Sequence, residues 1–581
     1  MTCISEFVQQ VTNLSHRGKG PEIWRPWQTT GKRLIDELSW RTNPISLRTP
    51  LALLLVSLSA IVAVWWWLAT PITLSRAPID PNAKLTCVSY APFSGDQTPL
   101  QLTTRVPPEQ IDRDLAQLAK ITDCVRTYSI ENGLDHVPTA AAKAGLKVIQ
   151  GIWLNSSRPR NQVQIATAIR LTKEFPGVIT ALVVGNEVLL RGEMTTSDLA
   201  ATIRAVKAQV SVPVTYADVW EFWLRHRDIY EAVDFITIHI LPYWEDFPIR
   251  AKFAAAHVDA IRRRMAVAFP GKEILVGETG WPSQGRMREG ALPSRTNQAR
   301  VVSEILTLAQ QENFRVNLIE AYDQPWKRQL EGTVGGYWGL FDSARRLKYP
   351  PGEAISNFPL WKWQMGLGLA ASLIVFGSAW LTTRRRPWTP RLSSWIAVGL
   401  SATSAGILIG VAADKMFYES YGIGGWLHWG ALLAAGLLSP VLSANAVVSG
   451  RSLPTFLDLF GPRGAGESLS LSMTCLGAAL VVAALIGSET ALGFVFDPRY
   501  HDFPYAALTM AVVPFATLML NRPQTGRRPL AEAVFAGLLA GSAIFIGVNE
   551  GRENWQSMWT CAIYLLFAIT LWQARAAQSP K

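Results

Sequence analysis

Apolar and polar positions divide the chain into three unequal parts. Residues 50–72 form an almost unbroken apolar stretch that carries Trp65-Trp66-Trp67 near its far end. It is too long and lies too far from the first residue for a cleaved signal peptide, so the pattern predicts a retained transmembrane anchor. Residues 83–355 are mixed in polarity. Beyond them, residues 359–574 are nearly all apolar segments of spanning length, centred near Leu373, Ala405, Ala434, Val482, Val513, Leu538 and Phe567. They predict an all-α membrane domain of about seven helices. The segment around 505–520 is the weakest, being short and carrying Pro514.

The mixed part repeats a different pattern. Short apolar runs at 85–91, 124–129, 147–154, 179–187, 212–219, 235–243, 273–278 and 316–322 are bounded by turn residues, as expected of strands buried on both faces. Stretches with helical spacing lie at 108–119, 162–175, 196–210, 251–268 and 297–311. Strand and helix alternating in this way predict an α/β fold, a (β/α)8 TIM barrel inserted after one transmembrane helix.

Charge adds topology to this division. The formal net charge is +11, and much of the basic excess sits beside apolar segments. Arg384, Arg385, Arg386 and Arg391 follow the second span, Arg451 and Arg463 the fourth, Arg522, Arg527 and Arg528 the sixth, and Arg575 and Lys581 the eighth. Alternate loops have mixed charge. The basic segment 1–48 falls on the side of the arginine-rich loops. The positive-inside rule then makes residues 1–48 and 575–581 cytoplasmic and the barrel extracytoplasmic. No basic helix or aromatic stacking module accompanies the charge, so no nucleic-acid partner is expected. Glu489 and Glu532 are the main charged candidates inside the spans. Cys87 and Cys124 open neighbouring strands; a disulfide and a pair of free buried thiols fit equally well. No cluster has metal-ligand spacing, and neither metal nor cofactor is expected. Asp112-Arg113-Asp114 imitates a metal motif, but it falls on the polar face of an amphipathic helix and reads as a solvated surface.

Chemistry concentrates at two strand ends. Glu187 closes the run 179–187 and Glu278 the run 273–278. As the ends of the fourth and seventh strands they face each other across the barrel mouth, where such barrels keep their chemistry. Two opposed carboxylates can protonate a glycosidic oxygen and attack the anomeric carbon. Around them, Asn186 can hydrogen-bond a sugar hydroxyl and Tyr243 can orient Glu278. Glu320, Asp323 and Lys327 form a charged cluster whose negative members would raise the acid's pKa. Tyr90, Tyr128, Tyr243, Trp244, Trp281 and Trp326 are candidate stacking platforms.

The motifs Val184-Gly185-Asn186-Glu187 and Gly277-Glu278-Thr279-Gly280-Trp281-Pro282-Ser283 resemble family 17 glycoside hydrolases, the β-1,3-glucanases and β-1,3-glucan transglycosylases. Val88-Ser89-Tyr90-Ala91-Pro92-Phe93, Val125-Arg126-Thr127-Tyr128 and the stretch from Glu320 through Tyr322, Asp323 and Trp326 to Lys327 fit as well. The resemblance implies that Glu187 is the general acid/base and Glu278 the nucleophile of a retaining enzyme, their carboxyls about 5–5.5 Å apart. It implies a β-glucan substrate. The tether and the spans are similar in architecture to membrane-bound bacterial members linked to cyclic β-glucan assembly. That likeness implies a multi-pass protein of the bacterial inner membrane with the barrel in the periplasm, in contact with the lipid bilayer and beside a membrane glucan synthase. The reading taken is transfer of cleaved β-1,3-glucan to a glucan acceptor, giving β-1,3 elongation, cyclisation or β-1,6 branching; hydrolysis as an endo-β-1,3-glucanase and non-catalytic glucan binding or export are the alternatives.

Overall fold

The computed structural model describes residues 48–74, 84–350, 353–385, 389–461, 469–521 and 528–573. The segment 1–47, Arg386, Arg463, Arg522, Arg527, Arg575 and Lys581, on which much of the orientation argument rests, lie outside them.

Eight parallel strands close in sequence order into one barrel. They are β1 (Cys87–Ser89), β2 (Cys124–Arg126), β3 (Lys147–Ile152), β4 (Ile179–Asn186), β5 (Val214–Val219), β6 (Ile236–His239), β7 (Ile274–Thr279) and β8 (Val316–Leu318). Side chains alternate between its two sides. Ala181 and Val183 of β4 and Leu275 of β7 join Cys87, Cys124 and Ile149 in a small cluster, whereas Leu182, Val184 and Val276 join the large core under the helices. Continuous apolar runs therefore produce a strand buried on both faces. Cys87 and Cys124 form a disulfide that ties β1 to β2.

The outer layer contains every expected helix: α2 (Pro108–Leu118), α4 (Arg158–Glu174), α5 (Thr196–Lys207), α7 (Ala251–Ala268) and α8 (Arg295–Gln311). Side-chain caps start two of them: Thr195 accepts from Asp198 N at 3.2 Å, and Ser294 from Asn297 N at 3.2 Å. Three further helices fill the gaps. These are α3 (Val137–Ala144), α6 (Trp220–Arg225) and α9 (Arg328–Gly335), the last broken at Gly332, where φ is +66°. α3 and α6 are only 8 and 6 residues long and α9 is interrupted at Gly332, so each is too short to repeat a helical period.

The solvated-face reading of Asp112-Arg113-Asp114 holds for only part of the motif. Asp112 lies at the surface with His136 and Lys143. Asp114 is buried; it accepts from Tyr90 Oη at 3.1 Å and pairs with Arg345 at 2.9 Å. Helical spacing puts Asp114 beside Ile111, Leu115 and Leu118 on the covered face, and the ion pair makes its burial tolerable.

The helical part comprises α1 (Arg48–Leu68), α10 (Trp361–Arg384), α11 (Leu392–Glu419), α12 (Gly422–Val448), a short α13 (Phe456–Phe460), α14 (Leu471–Phe496), α15 (Tyr505–Asn521), α16 (Leu530–Glu550) and α17 (Trp555–Gln573). Six of these are long and apolar enough to cross a membrane: α1, α10, α11, α12, α14 and α16. α15, with 17 residues, is the short one. Ile61 and Trp65 of α1 pack into the same core as α11 to α17, so the anchor is part of the bundle. Gly368 and Gly406 let α10 and α11 approach closely: a methyl added to Gly368 would lie 2.0 Å from Gly406 O. The bundle buries more charge than its sequence suggests. Arg528 and Glu532 pair at 3.0 Å with both side chains fully covered, and Lys415 pairs with Glu419. Glu489 is exposed beside His428.

The barrel docks on the bundle through the loops that follow β6, β7 and β8. Arg286 pairs with Glu550, Met287 N donates to Gln556 Oε1 at 2.9 Å, and Asn554 Nδ2 donates to Met287 O at 3.0 Å. Arg250 Nε reaches Glu553 at 3.0 Å, and Arg328 Nη2 reaches Ser420 O at 2.7 Å. A bridge between Ile72 and Ile355 ties the segment that enters the barrel to the one that leaves it. The docked face is the C-terminal end of the strands, the end that carries Glu187 and Glu278.

Candidate active site

The end of β4 is bent to present Glu187. Gly185 has φ +90° and Glu187 itself φ +52°, a left-handed conformation that costs a non-glycine residue about 1–3 kcal/mol. The pairing of β4 with β5 shifts register between Val183 and Asn186, and Glu187 N then donates to Ala217 O at 2.7 Å. Arg191 holds the same turn, donating to Asn186 O and, at 2.8 Å, to Leu154 O. Glu278 sits within β7, beside another register shift. It is nearly buried, whereas a quarter of the Glu187 side chain stays exposed.

His239, at the end of β6, joins the two carboxylates. Its Nδ1 lies 2.7 Å from Glu187 Oε1, and its Nε2 lies 3.4 Å from Glu278 Oε1. One ligand atom from each of Glu187, His239 and Glu278 falls within 4.8 Å of the others. Carboxylates with oxygens this close lie nearer to the spacing of about 5–5.5 Å in retaining enzymes than to the roughly 6.5–9.5 Å of inverting ones.

Arg126, at the end of β2, is fully buried and spans the site. Nη1 donates to Glu278 Oε1 at 2.9 Å and to Gly277 O at 2.8 Å; Nη2 donates to Asn186 Oδ1. Its guanidinium also lies 4.9 Å from the centre of the Tyr128 ring. Because Arg126 takes the Asn186 oxygen, what Asn186 can offer a sugar is its Nδ2–H. Among the described residues, Glu187, His239 and Glu278 are the one grouping able to ligate a metal. The guanidinium already sets a positive charge against Glu278, and the Glu187–His239 hydrogen bond engages an atom of each.

Electrostatics separate the carboxyls at the mouth. Burial pushes Glu187 up, but the His239 hydrogen bond and the charges of His239, Arg191 and Arg126 outweigh it and hold the carboxyl below its ordinary range. Glu320, by contrast, is pushed by burial up to about 8 against the pull of its partner Lys327. Asp323, bonded to Lys348 at 2.7 Å and to Gly339 N, is pushed by burial up to about 6. Glu320 and Asp323 thus each have their own lysine, and the upward push expected on Glu187 is reversed by His239.

The aromatic candidates divide by exposure. Tyr128, Trp244 and Trp326 are half-buried at the rim and keep ring surface open. Tyr90, Tyr243 and Trp281 are fully covered. Tyr90 donates to Asp114, Trp281 Nε1 donates to Leu292 O at 3.0 Å, and their rings pack within the core. Tyr243 does not reach Glu278. Its hydroxyl donates to Arg286 O at 2.9 Å because the loop after β7 folds back over it. Arg126 and His239 carried no role in the sequence reading. Strand alternation places each on the same side of its strand as an inward neighbour, Cys124 or Thr237, and the register sets Arg126 beside Ser89 and His239 beside Glu278.

Residues 87–339 match the family described as the BtgE/BtgC glycoside hydrolase domain. The chain is 27% identical over 259 residues to a glucan 1,3-beta-glucosidase of Candida albicans, an overlap of 41% of this chain and 84% of that one. It is 28% identical over 226 residues to a probable beta-glucosidase btgE of Aspergillus fumigatus, covering 38% of this chain and 39% of that one. Among solved structures, the family 17 beta-1,3-glucanosyltransferase of Rhizomucor miehei aligns with a TM-score of 0.41 at 23% identity, over 47% of this chain and 97% of that one. The barrel thus matches a glycoside hydrolase domain, and its relatives support a glycosidase or transglycosylase.

Proposed function

We propose that this glycoside hydrolase domain is a membrane-anchored retaining enzyme that cleaves β-1,3-glucan and passes the cleaved chain to a glucan acceptor. The observation that carries the reading is the Glu187–His239–Glu278 arrangement at one end of the barrel, all within 4.8 Å. Glu278, oriented by Arg126, attacks the anomeric carbon as the glycosidic bond breaks, and Glu187 gives its proton to the departing oxygen. The proton is held within the Glu187–His239 pair: His239 exchanges it with Glu187 along the 2.7 Å hydrogen bond. In the second half-reaction Glu187 takes a proton from an acceptor hydroxyl, which displaces Glu278 and restores the β configuration. Asn186 Nδ2–H binds the sugar 2-hydroxyl, and Tyr128, Trp244 and Trp326 supply stacking surface.

Relatives bearing the name glucan 1,3-beta-glucosidase support the substrate class and keep hydrolysis as a second reading, with water as the acceptor. Transfer is favoured by the docking of the catalytic face on the helical bundle, which restricts bulk water and holds the enzyme beside membrane-borne chains. The product is a β-1,3 extension, a closed ring or a β-1,6 branch. The barrel faces the periplasm of a bacterial inner membrane, beside a glucan synthase. Arginine-rich loops on the opposite side support this placement, as does the Cys87–Cys124 disulfide, a bond that persists in oxidising compartments.

The test is incubation of the full chain, in detergent or nanodiscs, with laminari-oligosaccharides. Products longer than the donor, or branched, are expected. Products that are only shorter would replace transfer by hydrolysis, and absence of turnover by folded protein would leave a binding or export subunit. Labelling of cysteines placed in the loops around 386 and 522 tests orientation: accessibility from the periplasm would overturn it.

A further inference from the structure

A cavity of about 380 Å³ lies where the loop after β8 meets the helical bundle. The barrel contributes Arg328, Gly332 and Thr333 to its wall; the bundle contributes the rest, including Tyr421, His428, Tyr500, His501 and Asp502. The size suits a small-molecule site, for which about 300–1,000 Å³ is ordinary. We propose that this cavity is a second glucan subsite, built jointly by barrel and bundle, which holds the part of a glucan chain that extends beyond the catalytic carboxylates. The inference rests on the glucan-active reading of the barrel.

Three observations identify the occupant. First, the wall carries unused hydrogen-bonding capacity. Glu419 is 8% exposed; one oxygen pairs with Lys415, and the other, Oε2, is buried without a partner among the described residues. Asp502 Oδ1 and Arg328 Nε are buried and unpartnered as well. Buried polar atoms in this state call for a ligand or water. Second, the charges oppose one another. Glu419, Glu489 and Asp502 face Arg328 and two histidines. An anion such as a phosphate headgroup would meet three carboxylates, whereas a neutral polyhydroxyl chain can donate to carboxylates and accept from Arg328 and histidine. Third, Tyr421, Trp429 and Tyr500 line the same space and give sugar rings apolar faces to lie on.

The cavity also adjoins the catalytic mouth. Trp244, at the rim, packs edge-on against Tyr500 with ring centres 6.1 Å apart, and Arg499 lies over both rings. The segment 325–336 has Trp326 and Lys327 on its mouth side and Gly332 and Thr333 in the cavity wall. Between them, Glu331 is near enough to Glu187 and Glu278 for their charges to add to the upward push of burial on its carboxyl.

The test uses the full chain in nanodiscs, silenced by Glu278→Gln, and titrates laminari-oligosaccharides of increasing length by calorimetry. Affinity is expected to rise with length beyond what the barrel alone holds. Asp502→Asn and His501→Ala, added singly, are expected to weaken long oligosaccharides about tenfold, the loss of one charge-assisted hydrogen bond, and to leave the shortest bound oligosaccharide unchanged. Unchanged binding of the short oligosaccharide and an unchanged melting temperature show that each variant is folded. Loss of length dependence in both variants supports the subsite. Equal affinity of parent and variants for long chains overturns it, as does competition of inorganic phosphate for the cavity. If the unsilenced chain still turns over laminari-oligosaccharides, only this inference falls; if it neither binds nor cleaves any glucan, the glucan reading falls with it.

Discussion

His239 Nδ1 stands 2.7 Å from Glu187 Oε1 while the other ring nitrogen faces Glu278, so one imidazole is shared by both carboxylates of the site. Its removal takes away the hydrogen bond and the largest charge that hold Glu187 below its ordinary range, leaving burial to push it up against Arg191 and Arg126 alone. An acid must be protonated to act, so a higher pKa extends activity to higher pH. His239→Asn is expected to lower kcat and to move the alkaline limb of the kcat/KM profile upward. A profile that keeps its limb would show that His239 does not set the acid.

The two glutamates should differ in chemical rescue. Glu187→Ala is expected to cost about 10²–10⁴-fold with an ordinary glycoside. With an activated donor, azide should restore turnover and give the β-glycosyl azide, because Glu278 still forms the covalent intermediate. Glu278→Ala with azide should give the α product. Polarimetry or NMR of the products distinguishes them, and the reverse stereochemistry would exchange the two roles.

Arg126 holds Glu278, Gly277 and Asn186 from a fully buried position. Arg126→Met removes one member of a buried pair and should destabilise the barrel by about 3–5 kcal/mol. Arg126→Lys keeps the charge but not the fork that reaches both sides of the mouth. It should fold with a higher melting temperature than Arg126→Met and still lose most of kcat.

Much of the fold was legible in the sequence because its signals are long and repeated. Eight apolar runs bounded by turn residues became eight strands, and the runs ending in Glu187 and Glu278 became β4 and β7. The side chains between those carboxylates were harder to read. Tyr90, Tyr243 and Trp281 stand at strand ends exactly as rim aromatics do, and whether such a ring faces solvent depends on loops that pack over it. Arg126 and His239 were hidden for the opposite reason: each lies in an apolar run, and its value comes from three partners on strands distant in sequence. Asp114 shows the same limit, since its partner Arg345 is 231 residues away.

The Cys87–Cys124 disulfide closes a loop of 37 residues. A loop of that length is worth about 3–4 kcal/mol by chain entropy. Replacement of both cysteines by alanine is expected to lower the melting temperature of the full chain by several degrees and to leave KM unchanged. An unchanged melting temperature would mean that the bond contributes nothing to the folded barrel.

Gly332 packs closely against the bundle. Its φ is +66°, and a methyl there would lie 2.4 Å from Tyr500 O. Gly332→Ala should loosen the docked face while the catalytic residues stay in place. The measurement is cross-linking between cysteines placed at 287 and 556, whose native contact spans 2.9 Å. Cross-linking as fast as in the parent would show that the contact is not held at Gly332.

A barrel that rests on its own catalytic end has given up the open approach that a free enzyme has from above. The contacts with the bundle are carried by the loops that follow β6, β7 and β8, so a chain approaches past the remaining loops, in the layer between barrel and bundle. Encounter in such a layer is a lateral search over a surface. The rate at which the site is filled therefore depends on how many chains lie along that surface, and a glucan dissolved in bulk and one held at the surface are different substrates even when their linkages are identical.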